Sequence, residues 1–134
     1  MVCPYCSSKT RVTNSRARAK NTQVWRRRVC LKCRQIWTTT EILDLSTTHR
    51  VVGTKNHLEP FSRDKLFISI KDACSHRKSA LADATAITDT VLARILLLNK
   101  AEITKIEIAD IAKPIISRFD KIAGAVYAAV ANNN

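Results

Sequence analysis

At 134 residues the chain has room for one ordinary domain, or for a small metal-stabilised module joined to a compact second one. A hydrophobic content of 46% excludes a disordered chain, and only two glycines and three prolines argue for much helix and few tight turns. The net charge of +12 is unevenly placed: the first forty residues hold ten Lys or Arg and no Asp or Glu, whereas thirteen basic and eleven acidic residues nearly cancel in the rest.

The opening MVCPYCSSKT has neither a basic leader nor an apolar stretch, so a reducing, cytoplasmic, bacterial-type setting is expected, with cysteines as thiolates or metal ligands. Val24-Trp25 and Ile36-Trp37-Thr38-Thr39-Thr40 are β-prone. Residues 1–43 form the predicted first domain, and a composition break predicts a linker at 44–49. The stretch 49–61 predicts a small hairpin: Val51-Val52-Gly53, a turn near Lys55-Asn56-His57, and a return to Phe61.

Helices follow. Ser62 is the predicted N-cap of a helix running to about Lys78, with Leu66, Ile70, Ala73 and Cys74 on one face. A second helix is expected over 82–99, on Ile87, Val91, Ile95 and Leu98. Arg94 interrupts its longest apolar run, so no membrane span is expected. Thr104-Lys105-Ile106-Glu107 is a capping box that opens a third helix. Pro114 predicts a kink or break there, and a last helix is expected over 118–130. The second domain is placed at 49–131, and 132–134 is expected to fray.

Two C-x-x-C units, Cys3-Pro4-Tyr5-Cys6 and Cys30-Leu31-Lys32-Cys33, carry the clearest chemistry. Paired knuckles set four thiolates about one ion, and a closed sulfur shell leaves no position for water, so structural Zn²⁺ is the expected cofactor. A rubredoxin-type iron site uses the same four sulfurs, and the sequence does not separate it from zinc. A redox motif needs one pair only, in a thioredoxin-like setting. Cys74 reads as a small core residue.

Around the knuckles lie Arg11, Arg16, Arg18, Arg26, Arg27, Arg28, Lys32 and Arg34, the candidate DNA-contacting residues, with Lys9 and Lys20 beside them. An acid-free cluster attracts polyanions, and Arg forks onto phosphate or guanine edges. Alternation along a strand aims Arg26 and Arg28 to one side and Arg27 to the other. Trp25 and Trp37 read either as ribbon core or as platforms for bases. An anionic membrane is a weaker partner, because these residues form no apolar face. No nucleophile–base pair, open metal site or phosphate loop is evident, and His49, His57 and His76 are scattered, so no enzyme is expected.

The C-x-x-C units, Asn14-Ser15-Arg16, Arg26-Arg27-Arg28-Val29-Cys30 and Trp37-Thr38-Thr39-Thr40-Glu41 together resemble the zinc ribbon of NrdR-type repressors of ribonucleotide reductase genes. Val51-Val52, Glu59-Pro60-Phe61-Ser62-Arg63-Asp64-Lys65-Leu66 and Ala73-Cys74-Ser75-His76-Arg77 resemble that family's ATP-cone. The resemblance implies an α+β protein: a small antiparallel zinc ribbon, then a β-hairpin lid over a four-helix bundle. It implies binding to operator boxes in double-stranded DNA, and self-association to a dimer or higher oligomer controlled by ATP or dATP. The implied nucleotide-binding residues are Val51, Lys55, Phe61, Lys65, Arg77 and Tyr127.

The chain departs from the family pattern at four places. Gly53-Thr54 stands at a Lys-Arg pair. A Tyr and an Arg are missing near the C-terminus. Arg34 replaces a usual Gly, and Thr40 a usual Tyr. A rival reading is a general nucleic-acid-binding ribbon whose degenerate cone serves only for oligomerisation.

Overall fold

The basic segment, rich in β-branched and aromatic residues, lies in three strands: β1 (Thr10–Arg18), β2 (Gln23–Cys30) and β3 (Ile36–Ile42). In this computed structural model residues 1–18, 23–53 and 56–131 are described. They divide into two units, Met1–Leu43 and Asp44–Asn134.

In the first unit the strands form an antiparallel sheet in the order β1-β2-β3. The β1–β2 register slips between Val12 and Asn14, leaving Thr13 as an extra residue. Its hydroxyl donates to the Arg27 carbonyl at 3.2 Å. Among the described residues of this unit only Cys3 and Cys30 are fully buried. Apolar burial alone does not hold such a sheet together.

The second unit contains β4 (Arg50–Val52), β5 (Leu58–Pro60), α1 (Arg63–Ala73), α2 (Ala80–Leu96), β6 (Glu102–Thr104), α3 (Lys105–Phe119) and α4 (Lys121–Ala131). The expected hairpin is β4 and β5, closed by Gly53 N–H donating to the His57 carbonyl at 2.8 Å. Sequence reasoning missed β6, which pairs parallel to the other side of β4. Three residues are too few to show a period. The α+β architecture expected from the sequence is thus borne out, with four helices beside this small sheet.

Both predicted helix starts are present. The Lys65 amide donates to Ser62 Oγ at 3.2 Å, and both halves of the Thr104–Glu107 capping box form. Several boundaries differ: α2 starts two residues before and ends three residues short of the expected 82–99, and α4 starts at Lys121 rather than near 118. The stretch 44–49, expected as linker, contributes Leu45 to the core of the second unit, 6% exposed. α1 ends at Ala73 rather than near Lys78, because the chain turns there and the Arg77 amide donates to the Cys74 carbonyl at 2.9 Å. α3 runs without a break through Pro114 to Phe119, where a kink or a break was expected. Pro114 is solvent-facing, and Ala112 and Ile116 on either side are fully buried, so packing offsets the lost hydrogen bond. Asp120 then turns to an extended backbone, and its carboxylate accepts the Ala123 amide at 2.9 Å, starting α4.

Leu66, Ile70, Cys74, Val91, Ile95, Ile103, Ile116 and Tyr127 meet in one core. Thr88 is the exception: it is fully buried, and its hydroxyl lacks a partner among the described residues. Thr88→Val keeps the shape and removes that desolvated group, so it is expected to raise the melting temperature by the equivalent of about 1 kcal/mol. A lower melting temperature contradicts this reading.

Acid sensitivity is built into two helix starts. The Lys100 ammonium, then the Thr104 amide and hydroxyl, pull Glu107 from its usual 4.5 to about 2. The Ala123 amide, then His76 and Arg77, hold Asp120 well below the usual carboxylate range. Both carboxylates are easier to ionise folded than unfolded. The stability they contribute is therefore complete above pH 4.5 and is lost as pH falls toward 2. The Glu107→Gln/Asp120→Asn double variant is expected to flatten that acid limb in pH-dependent unfolding followed by circular dichroism. An unchanged limb contradicts the assignment.

Candidate metal centre and cationic sheet

Each knuckle is a tight turn whose backbone points at sulfur. The Tyr5 amide donates to Cys3 Sγ at 3.4 Å, and the Lys32 and Cys33 amides both donate to Cys30 Sγ at 3.3 Å. Ser7 N–H returns to the Cys3 carbonyl at 2.9 Å, and Cys30 N–H to the Gln35 carbonyl at 3.0 Å. The two turns face each other, so that Cys3 Sγ lies 3.6 Å from Cys33 Sγ and Cys6 Sγ lies 3.5 Å from Cys30 Sγ. All four sulfurs fall within 4.8 Å of one another.

A tetrahedral ion with sulfur ligands at about 2.3 Å needs sulfur separations of about 3.8 Å. The donor set therefore fits a four-thiolate metal ion in spacing and in chemistry. The thiols do not behave alike. The Ser8 hydroxyl and amide pull Cys6 down to about 6. Cys33, despite the Gln35 amide, is pushed up to about 12 by lost hydration and its three sulfur neighbours. Sulfurs this close repel one another as thiolates, and a central cation is what lets all four ionise.

Leaving each knuckle, the residue after the second cysteine is left-handed: Ser7 at φ 55° and Arg34 at φ 61°. This explains why the resembling family uses Gly at the second place. A side chain in this conformation costs roughly 1–2 kcal/mol, so Arg34→Gly is expected to melt the metal-loaded ribbon at a higher temperature. No gain, or a loss, contradicts the reading.

The arginines are not equivalent. Arg26 grips Glu41 at 2.7 and 3.0 Å and also donates to Ser15 Oγ at 3.1 Å. Glu41 was not singled out in sequence as an arginine partner, because the pair forms across strands fifteen residues apart. Arg28 donates to Thr39 Oγ1 at 3.1 Å. The Arg18 guanidinium lies 5.6 Å from the centre of the Trp25 ring. Trp37 meets Tyr5 edge-on at 6.4 Å, which accounts for it as ribbon packing. Arg11, Arg16, Arg27, Lys32 and Arg34 are exposed. Lys20 lies outside the described residues.

In the second unit Val51, Phe61 and Tyr127 share the hydrophobic core. Lys65 is bound to Glu59 at 2.6 Å. Arg77 lies beyond the far end of α1, which alone carries the chain roughly 12 Å from Lys65. Arg77 donates to Asp83 at 2.7 Å and Asp120 at 3.0 Å and sits 4.8 Å from the Phe119 ring centre. Lys55, and Thr54 of the departure noted above, lie outside the described residues. Both described cations of the expected nucleotide set are thus held by carboxylates. No helix among the described residues is long and apolar enough to cross a membrane.

A family model described as the N-terminal domain of NrdR-like transcriptional repressors matches residues 1–41. The similarity extends well past the ribbon. The chain is 33% identical over 131 residues to the transcriptional repressor NrdR of Thermoanaerobacter sp. (strain X514), covering 97% of this chain and 82% of that protein. It is 34% identical over 134 residues to the NrdR of Finegoldia magna, covering 97% and 87%. It is 33% identical over 134 residues to that of Aromatoleum aromaticum, covering 99% and 78%.

Proposed function

The chain belongs to the NrdR family of transcriptional repressors, and from that premise we propose that it represses ribonucleotide reductase genes by binding their operator DNA through a zinc-clamped ribbon, in response to ATP or dATP. One observation carries the reading: four thiols converge at one end of a sheet studded with exposed arginines. Cys3, Cys6, Cys30 and Cys33 hold a structural Zn²⁺, which supplies the free energy that folds the ribbon. The arginines then meet phosphates and base edges of the duplex.

Self-association is supported by α4, where Ile122, Val126 and Val130 stand one turn apart, 63%, 42% and 53% exposed. A second copy of this helix is the occupant we propose. Nucleotide binding near the hairpin and Lys65 couples to DNA affinity through that assembly. The regulator acts in the cytoplasm and performs no chemistry on its ligands.

The test compares zinc-loaded protein on a reductase promoter and on random duplex at moderate salt. Preference for the promoter supports the reading, and equal binding removes it. One observation favours the rival reading of the second unit: Lys65 and Arg77 already hold carboxylates. Titration calorimetry decides between them. Heat with ATP or dATP and a change in oligomer size support sensing, whereas neither effect leaves a domain for assembly alone.

A further inference from the structure

We infer that the duplex is met by one face of the ribbon sheet, the face of Arg11, Arg16, Arg18 and Arg27, and that Arg26 and Arg28 belong to the opposite face and do not touch it. The inference rests on the DNA reading above and sorts the cationic cluster by register.

Directly opposed residues of antiparallel strands share a face, and successive residues alternate. Trp25 is flanked by Arg16 and Thr40, and Arg27 by Asn14 and Thr38. Arg11 opposes Val29, and Arg18 opposes Gln23, both on that same side of β2. The other side carries Arg26 between Ser15 and Thr39, and Arg28 between Val12 and Trp37. Glu41, opposite Val24, stands on this second side.

The bulge makes the first face. Arg11 and Arg16 are five residues apart, so a regular strand points them to opposite sides. The extra residue Thr13 restores Arg11 to the side of Arg16 and Arg18.

Charge and exposure agree with this division. All four arginines of the first face are exposed, and none has a carboxylate partner among the described residues. On the second face Arg26 and Arg28 are half-buried, Arg26 is neutralised by Glu41, and Trp37 is packed by Tyr5. The first face also presents Asn14, Thr38 and Thr40, which have the donors and acceptors that base edges need.

The experiment follows fluorescence anisotropy of the full zinc-loaded chain on a reductase-promoter duplex across a salt series. Each of Arg16→Gln and Arg27→Gln is expected to lower the log–log salt slope by about one, and the pair together by about two. Arg16→Lys/Arg27→Lys is expected to keep the slope. Arg26→Gln/Glu41→Gln, which removes the ion pair without changing net charge, is expected to match the wild type. Equal zinc content shows that the variants are folded. Wild-type binding whose slope survives Arg16→Gln/Arg27→Gln but falls with Arg26→Gln/Glu41→Gln overturns the face assignment alone. A wild type that binds no duplex at any salt overturns the DNA reading and the assignment with it.

Discussion

Cys30→Ser is expected to abolish one-to-one zinc retention, unfold the ribbon and remove operator binding, while the helical unit melts where it did before. Cys30 is fully buried, its sulfur accepts two backbone amides, and it lies 3.5 Å from Cys6 Sγ. A serine oxygen offers neither the softness nor the reach of that ligand. Structural zinc supplies about 10–16 kcal/mol in zinc-finger peptides at neutral pH, far more than the few apolar contacts among the described residues of 1–43 contribute. The second unit has its own core and does not share the loss. Cys74→Ser is the control: that thiol is buried in the helical core, where burial pushes its pKa up, so its replacement lowers the helical melt and leaves zinc at one per chain. Metal analysis with two-transition melting checks both. Full zinc in Cys30→Ser contradicts the assignment.

Gly124→Ala is expected to be the most damaging single methyl in the second unit. A Cβ built there collides with Ser117 Oγ and meets Ser117 Cα at 2.7 Å and Ser117 Cβ at 2.8 Å. The contact on Cα is backbone, so no rotamer change relieves it, and α4 must move off α3. That movement opens the packing of Ala112, Ile116, Ala123 and Tyr127. Overpacking of this kind costs about 1–3 kcal/mol, and a unit of this size loses roughly 4–8 °C of melting temperature per kcal/mol. Ser117→Gly/Gly124→Ala recovers only the side-chain part of the loss. A Gly124→Ala melt at the wild-type temperature contradicts the α3–α4 geometry.

Much of this molecule was legible in its residues because several signals agreed. Cysteine spacing, acid-free charge and β-branched runs all pointed to one small sheet, and its four sulfurs do converge. Ser62 and Thr104 announced helix starts by local chemistry that owes nothing to the rest of the fold. What stayed hidden depends on partners distant in sequence. β6 exists only because β4 lies beside it. Asp120 ends one helix and starts another while holding Arg77 and His76, forty-three and forty-four residues away. Pro114 predicts a kink or a break because local sterics oppose a helix there, and no break forms because buried neighbours carry α3 through it. Strand alternation separates Arg27 from Arg26 and Arg28 in the sequence, but it does not assign the arginines of β1 to a side, since neither the Thr13 bulge nor the Glu41 pair leaves a mark in composition.

The most direct measurement is an operator-duplex titration of one preparation, zinc-loaded and then stripped with a strong chelator, at the same salt. Tight binding with one zinc per chain is expected, then loss of binding together with loss of ribbon structure after stripping, and recovery of both when zinc is restored. Unchanged affinity and unchanged structure in the stripped protein contradict it.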